Sequence, residues 1–437
     1  MIEALITPRS YRCASLLAAP VVDVWLAHRR RRGKEDRVRY GERLGKPTLP
    51  RPEGRLIWMH AVSVGESLSL LPLVERLRET LPDVGVLITS GTVSSERLLR
   101  ERIPDGVCHQ FAPVDRPGAV RRFARHWRPD LAVWVESELW PNLILETAAH
   151  GVPMLLVNAR MSERSAARWR RAPHLSQPLL AAFSGVLAQT EADAARFRAL
   201  GAPNVAVRGN LKNDAPPLPA DAQDVAVLKQ AIGGRPCWAA ASTHEGEEET
   251  IGEAVSTLRQ TFPGLLTILA PRHPERGAAI AEMMERRGLV TARRSANGAV
   301  APSTAVHLVD TLGELGLVYR LADIAFVGGS LEPQGGHNPL EPARLDCAIV
   351  AGTHTENFAE AYAALEDADA LSRVSDAGAL ASAVRALLDD ETARVARAAA
   401  AHAAASGLGG AVEAALGLMR DHLPPCSRNA RAGVLGG

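Results

Sequence analysis

The sequence lacks the cysteine pattern of a disulfide-bonded or zinc-bound module. Its 437 residues contain five cysteines, an odd number, scattered without a Cys-x-x-Cys pair (Cys13, Cys108, Cys237, Cys347 and Cys426). This distribution argues against a disulfide framework and a zinc ribbon and favours a reducing compartment. An excess of charge of one sign is also lacking, because the formal net charge is +1. Composition therefore indicates no nucleic-acid partner, and any cationic function must be local.

The N-terminal region lacks an apolar run long enough to cross a bilayer. Residues 13–28 (CASLLAAPVVDVWLAH) fall short of the roughly 20 residues that a span requires and include Pro20 and Asp23. The basic stretch RRRRGKEDRVR (29–39) follows this run, whereas a secretory signal has its charges before it. An apolar run followed by basic residues predicts an interfacial anchor that lies on the cytoplasmic face of a membrane with anionic lipids. The alternative is an ordinary first helix with a solvated, charged end.

From residue 55 onward, short apolar strands alternate with helical periods. The candidates are LIWMHAVSV, VGVLITS, VCHQFAP, LAVWVES, PMLLVNAR, GVLAQT and VAVRGN, then PCWAAAST, LLTILAPRH, VHLVDT, IAFVGGS and CAIVAGT. This alternation predicts an α/β fold with two doubly wound, Rossmann-like parallel-sheet domains facing each other across a cleft. We predict a membrane-associating segment at 1–34, domains at 35–214 and 225–420, a proline-rich linker at 215–224 and a polar tail at 421–437.

The clearest ligand signal is FVGGSLEPQGGHNPLEP (326–342), where a strand ends in two glycine pairs. Asn338 is a good N-cap, Pro339 suits the first helical position and Glu341 the third. Glycine allows backbone N–H groups to approach an anion, and glycine pairs on both sides of a turn have little structural need. The pattern therefore favours a phosphate site at a helix N-terminus. Alternatively, Glu341 is only a capping partner of Asn338.

Other polar residues also follow predicted strands. His244 precedes EGEEET, whose glutamates are interpreted as dipole-stabilising surface charge. Arg272 and His273 lie where they could reach a phosphate or a base. His244, His273 and His337 have no metal-ligand spacing, so we expect no metal site.

The first half of the chain carries its own candidates. VESELW ends a strand with Glu136 and Glu138, and Lys212 in GNLKND lies just before the linker, where a solvated linker charge is the alternative. The arginines of VNARMSERSAARWRR (157–171) form either a solvated helix face or a site for an anionic acceptor. Glu66, directly after Gly65 in WMHAVSVGES, is either a helix-dipole partner or a general base. As a base, it would require partial desolvation.

The ordered motifs HAVSVGE, SGTVSSERL, VESELWPNL, NARMSERSA, GNLKND, APRHPER, DTLGEL, FVGGSL and GGHNPLEP resemble those of the Kdo (3-deoxy-D-manno-octulosonic acid) transferase family of Gram-negative lipopolysaccharide synthesis. The resemblance implies an inverting, metal-independent GT-B glycosyltransferase. It implies transfer of Kdo from CMP-Kdo to the tetra-acylated lipid A precursor, lipid IVA, at the cytoplasmic face of the inner membrane. The N-terminal domain would bind this acceptor and the C-terminal domain the CMP-sugar, without a cofactor.

Position by position, the resemblance implies that Glu66 is the catalytic base and that Glu136 and Lys212 stabilise the transition state. The CMP contacts that it implies are Pro271, Arg272, Leu312, Gly313, Glu314, Asn338, Pro339, Leu340 and Glu341. The N-terminal run is less continuously apolar here than is common in the family.

The competing hypotheses are another GT-B enzyme that uses or epimerises a UDP-sugar, and a non-catalytic nucleotide-binding or membrane-scaffold protein. An NAD-type Rossmann enzyme is disfavoured because VSVGES contains no G-x-G-x-x-G.

Overall fold

The computed structural model describes residues 6–425 and divides them into two compact units. The first unit contains the residues up to Ala215 and those from Gly409 onward, and the second is Pro216–Leu408. Each unit is built on one seven-stranded sheet in which all the paired strands are parallel. The predicted α/β class with two parallel-sheet domains is therefore confirmed.

The first sheet has the strand order β3-β2-β1-β4-β5-β6-β7. Its strands are β1 Leu56–His60, β2 Gly85–Ser90, β3 Val107–Phe111, β4 Leu131–Val135, β5 Met154–Ala159, β6 Gly185–Ala188 and β7 Val205–Val207. All seven were predicted. The direction of winding reverses between β1 and β4, so the loops after these two strands flank the switch point at which doubly wound sheets bind ligands.

The second sheet has the order β10-β11-β9-β8-β12-β13-β14 and reverses between β8 and β12. Its strands are β8 Cys237–Thr243, β9 Leu266–Pro271, β10 Thr291–Arg293, β11 Val306–Leu308, β12 Ile324–Val327, β13 Ala348–Ala351 and β14 Leu371–Arg373. Sequence reasoning missed β10 and β14. Both are three-residue edge strands ending in arginine, too short for a periodic apolar signal.

Helices cover the faces of the two sheets. Those that precede residue 215 are α1 Pro8–Leu17, α2 Ala19–Arg31, α3 Tyr40–Arg43, α4 Val64–Thr80, α5 Val93–Arg102, α6 Pro117–Trp127, α7 Pro141–Ala149, α8 Glu163–Arg170, α9 Pro173–Ala181 and α10 Glu191–Ala199. The later helices are α11 Ala222–Ile232, α12 Glu247–Thr261, α13 Gly277–Arg286, α14 Leu315–Arg320, α15 Leu340–Ala343, α16 Ala359–Asp367, α17 Ala377–Asp389, α18 Glu391–Gly407 and α19 Ala411–His422. The strands buried between them read as continuous apolar runs for this reason.

The second unit ends at Leu408, whereas the predicted end of the second domain was residue 420. Helix α19 belongs to the first unit, because its apolar stripe packs into a core of that unit together with residues of α4. Asp214, at the end of a 3₁₀ turn (Leu211–Asp214), accepts hydrogen bonds from the N–H groups of Gly410 and Val412 at 2.5 and 2.6 Å. The predicted linker is also shorter, since α11 begins at Ala222. Of the predicted tail, residues 426–437 lie outside the described residues.

The N-terminal segment forms two helices, α1 and α2, joined at Ala18. Among residues 6–425, no helix is long and apolar enough to cross a membrane. Leu26 is fully buried against Val114 and Ala119, which fastens α2 to the first unit. Residues 1–5 of the predicted membrane segment lie outside the described part of the chain. The large apolar side chains left exposed on these helices are Leu16, Leu17, Val21, Val24 and Trp25.

Candidate functional site

Glu66 lies at the switch point of the first sheet, in the first turn of α4. Its carboxylate accepts hydrogen bonds from the Val62 N–H at 2.8 Å and from the Ser63 hydroxyl at 2.6 Å, and the residue is only 5% exposed. Ser63 is the N-cap of α4 and accepts the Glu66 N–H. Ser63 and Glu66 form an S-x-x-E pattern, a local signal that the sequence analysis did not use. Glu66 is thus already shielded from water and held in one orientation.

Two further carboxylates, Glu136 and Glu138, follow β4 on the other side of the switch point. Burial, and then the nearby Glu66 charge, raise the pKa of Glu136, while Lys212 and Arg160 oppose the rise. Burial also raises the pKa of Glu138, although the Trp140 indole donates a hydrogen bond to it at 2.8 Å. Glu136 has a positive φ of 59°, which is uncommon for a residue with a side chain. Crowded carboxylates in a strained turn are typical of functional sites.

Lys212 lies close to this carboxylate pair. A Cβ placed on Gly65 would lie 3.9 Å from the Lys212 Nζ, so the ammonium group lies beside the start of α4. The backbone is fixed by Asn158, whose side-chain oxygen accepts the Leu211 N–H at 3.1 Å. The Lys212 side chain is exposed and forms no ion pair within residues 6–425. Glu66, Glu136 and Lys212, predicted from separate motifs, are therefore brought together.

The predicted arginine cluster is divided by the structure. Arg160 is exposed and acts electrostatically on Glu136, which places it next to the site. Arg164 and Arg168 are exposed on α8, and Arg170 is paired with Glu163. Of the cluster, Arg160 therefore has the most direct electrostatic relation to the carboxylates.

In the second unit, Glu247 binds the first part of the glycine-rich loop, which was predicted to approach a phosphate. Its completely buried carboxylate accepts the N–H groups of His244, Gly329, Ser330 and Leu331 at 2.7–3.0 Å. The interpretation of the EGEEET glutamates as surface charge is wrong for Glu247 and Glu248, which are both buried.

The glycines of this loop have a structural reason that the sequence analysis did not recognise. The Gly328 and Gly336 N–H groups donate to the carbonyl oxygens of Ala241 and Gly329, so they too are occupied. A Cβ on Gly328 would lie 2.5 Å from the Ser242 carbonyl oxygen, and Gly335 has a φ of 88°. The prediction that the N–H groups of these glycine pairs cradle a phosphate is therefore wrong for Gly328, Gly329 and Gly336.

Beside this loop, His244 and His337 share a hydrogen bond between their Nε2 atoms at 2.8 Å. Burial lowers the pKa of both, that of His337 to about 4, so the pair is neutral at pH 7. Arg272 is exposed, lies near both rings and forms no ion pair within the described residues. The available cation for an anionic ligand is thus Arg272. Residues 6–425 contain no cluster of three His, Cys, Asp or Glu side chains suited to a metal ion.

Asn338 lies directly before the N-cap of the short helix α15, one residue further from the helix start than predicted. Its side-chain oxygen accepts the Leu340 N–H at 3.1 Å and its amide donates to Glu341 at 3.3 Å. Pro339 occupies the cap position itself. Burial raises the pKa of Glu341, and the Asn338 hydrogen bond opposes the rise. Asn338 and Glu341 are therefore hydrogen-bonded to each other, but they do not form the capping box given as the alternative.

The remaining predicted CMP contacts follow β9 and β11, at the same edge of the second sheet. Pro271 is the last residue of β9 and is buried, whereas Leu312 is 80% exposed and Gly313 has a positive φ of 82°. Glu314 forms an ion pair with Arg294 at 2.8 Å. Burial tends to raise the pKa of Glu314, but hydrogen bonds from Arg294 and Thr311 outweigh it and hold the pKa below its usual value.

Comparison with known proteins decides the family. The family model for 3-deoxy-D-manno-octulosonic acid transferase matches residues 38–215. A 3-deoxy-D-manno-octulosonic acid transferase of Bordetella pertussis is 38% identical, over 93% of this chain and 97% of its own length. One of Haemophilus influenzae is 35% identical, over 88% and 91%. The chain belongs to the Kdo transferase family. Its matched range contains Glu66, Glu136 and Lys212.

The architecture agrees with the family. The structural match to a solved glycosyltransferase from Rickettsia africae covers 87% of this Kdo transferase family member and 100% of the solved chain. The TM-score is 0.54 and the sequence identity is 12%. At that identity the likeness shows the fold alone, and it agrees with the predicted fold of two parallel-sheet α/β domains.

Proposed function

We propose that this protein transfers Kdo from CMP-Kdo to a lipid A precursor, the tetra-acylated lipid IVA, with Glu66 as the general base. The observation that carries the proposal is the cluster of Glu66, Glu136 and Lys212 at the switch point of the first sheet, in a chain whose relatives are named Kdo transferases. A non-catalytic protein has no need to hold two carboxylates and a free ammonium group together at this position.

Glu66 has the features that a base in this reaction requires. A carboxylate offers about four lone-pair positions, and hydrogen bonds from Val62 and Ser63 occupy two of them. The remaining positions are free to accept the proton of an acceptor hydroxyl. As the proton moves to Glu66, the acceptor oxygen attacks the anomeric carbon of Kdo and the bond from that carbon to the CMP phosphate breaks. A single displacement of this kind inverts the anomeric centre.

The departing phosphate needs compensation of its charge rather than a strong acid. We assign this role to Lys212, an exposed cation of the first unit, and we assign phosphate contact in the second unit to Arg272. The contacts to CMP proposed for Pro271, for Leu312 to Glu314 and for Asn338 to Glu341 lie at the carboxyl edge of the second sheet, where such folds bind nucleotides. The proposed reaction uses no metal ion and no other cofactor.

The N-terminal helices support attachment to the cytoplasmic face of the inner membrane. Leu17, Val21, Val24 and Trp25 follow an i, i+4, i+7, i+8 spacing and are each about half or more exposed. The basic residues from Arg29 onward follow this apolar face and would contact anionic lipid headgroups. A lipid acceptor would thus be met at the surface where it resides.

The decisive experiment incubates the purified protein with CMP-Kdo and the lipid A precursor and measures product mass. The expected result is a mass increase by one or more Kdo units, unchanged when EDTA is present. A parallel reaction with UDP-sugars tests the rival GT-B chemistry. Transfer from a UDP-sugar alone, or no transfer from fresh CMP-Kdo, would refute the proposal, and loss of product with EDTA would refute metal independence.

A further inference from the structure

An open, mostly apolar groove lies between the N-terminal helices and the carboxyl edge of the first sheet. Its volume is about 740 Å³, within the range of roughly 300–1,000 Å³ that small-molecule sites occupy. Ala14, Ala18 and Val22 line it from α1, α2 and their junction, and Leu139 and Trp140 line it from the loop after β4. The small side chains of the two alanines keep the groove open.

The inner end of the groove adjoins the carboxylate cluster. Val62 and Gly91 both line it, and they are joined by a hydrogen bond from the Gly91 N–H to the Val62 carbonyl oxygen at 3.0 Å. The Val62 N–H in turn donates to Glu66. The Trp140 ring lines the groove and donates to Glu138. Val62 therefore contacts both the groove and the proposed base, Glu66.

The outer end of the groove is continuous with the exposed apolar face of α1 and α2. Trp25 belongs to both, since it lines the groove and is 49% exposed beside Val21 and Val24. The Arg29 guanidinium lies 4.9 Å from the centre of the Trp25 ring. Tryptophan and arginine together are typical of the level of the lipid headgroups. The groove thus links a membrane-facing surface to the site.

Three arginines line the groove, and each is already paired with a carboxylate. Arg29 and Arg43 contact Glu35 at 2.6 and 3.4 Å, and Arg116 pairs with Asp23 at 2.7 Å. Because these charges are compensated, the surface that the groove offers to a ligand is the apolar one, which suits an alkyl chain.

We propose that this groove binds one acyl chain of the lipid acceptor. The chain enters past Trp25 and remains in apolar surroundings, while the acceptor hydroxyl reaches Glu66. This inference rests on the proposed function, because it takes the acceptor to be a lipid. It adds the position of the chain and the direction of approach.

The first test fills the groove and measures the preference for an acylated acceptor. Ala18→Phe places a ring in the groove, and Ala27→Phe places the same ring on an exposed position of α2 that does not line it. The readout is kcat/KM for the lipid A precursor divided by kcat/KM for the same acceptor with its acyl chains removed. Because each buried methylene contributes about fourfold to affinity, displacing a few methylenes lowers this ratio at least about tenfold in Ala18→Phe. Ala27→Phe keeps the wild-type ratio.

The second test measures binding without catalysis. Lauric acid brominated along its chain quenches nearby tryptophans, and Trp25 and Trp140 line the groove. We expect saturable quenching in the wild-type protein and in Ala27→Phe, and at least tenfold weaker binding in Ala18→Phe. Unfolding temperatures of the three proteins establish that each is folded.

The outcomes separate this inference from the proposed function. If the wild-type protein transfers Kdo but Ala18→Phe keeps both its acyl preference and its quenching, the groove does not bind the chain. If the wild-type protein transfers no Kdo but the brominated chain is bound and Ala18→Phe weakens it, the acyl site stands and the transferase proposal falls. If no saturable quenching occurs in the wild-type protein, the inference is overturned whatever the enzymatic result.

Discussion

Replacing Glu66 by glutamine tests the proposed base with little disturbance of the surrounding structure. The carboxylate accepts hydrogen bonds from the Val62 N–H and the Ser63 hydroxyl. The glutamine oxygen can still accept the Val62 N–H, and its amide can donate to the Ser63 oxygen once that hydroxyl turns. Both local contacts are therefore retained in the variant, and only the ability to accept a proton is removed.

The expected loss of rate follows from the chemistry of the step. A positioned general base contributes about 10²–10⁴-fold, which corresponds to about 2.7–5.4 kcal/mol of transition-state stabilisation. Because Glu66 is only 5% exposed and held by two hydrogen bonds, we expect no water to replace it. The loss should appear in kcat, with the affinity for CMP unchanged, since the proposed CMP contacts lie in the other unit.

The assay combines single-turnover transfer from CMP-Kdo with CMP binding by calorimetry. Glu75→Gln is the matched control, because Glu75 is exposed on the same helix α4. We expect wild-type rates and CMP affinity in the control. A Glu66→Gln protein that folds, binds CMP and turns over within a factor of three of the wild type would refute the assignment of Glu66 as the base.

Three further predictions concern stability. Glu247→Ala leaves the buried Gly329 and Ser330 N–H groups without their acceptor, at a cost of about 1–3 kcal/mol each. Urea unfolding should therefore show that the free energy of unfolding falls by about 2–6 kcal/mol. For the control Glu249→Ala, at an exposed position, we expect a fall of less than about 0.5 kcal/mol. Burial and Glu66 raise the pKa of Glu136, so the wild type gains stability as the pH falls through that raised pKa. Glu136→Gln should therefore melt above the wild type at pH 8, with a difference that shrinks towards pH 4, and a pH-independent difference would contradict the raised pKa. Asp214→Ala removes the acceptor of the Gly410 and Val412 N–H groups. We expect the free energy of unfolding to fall by about 0.5–2 kcal/mol, as for the loss of a helix cap, and the amides of α19 to become unprotected in hydrogen exchange. Full protection of these amides would contradict the role of Asp214.

The strands and helices were predictable from the sequence to different degrees. The apolar runs that became β1 and β4 are buried throughout, so their continuous apolar character between helical segments identified them. The edge strands β10 and β14 are only three residues long and each ends in arginine, so no local pattern revealed them. Helix α19 follows an alanine-rich stretch of the second unit, and nothing in its own residues indicates which sheet it covers.

Residue order was enough to predict two parallel-sheet units, the strand ends at which polar side chains cluster, and the motifs that carry the family. These features depend on residue type and short spacing, which act locally along the chain. The contacts that those side chains make depend on the folded chain. Glu247 and the glycines show this most clearly: a loop that resembles an anion site is filled by the chain's own carboxylate, because two segments about 80 residues apart meet at the switch point. Glu66, Glu136 and Lys212 likewise meet only once β1, β4 and the turn after β7 lie side by side, since electrostatic interaction depends on distance in space rather than along the chain.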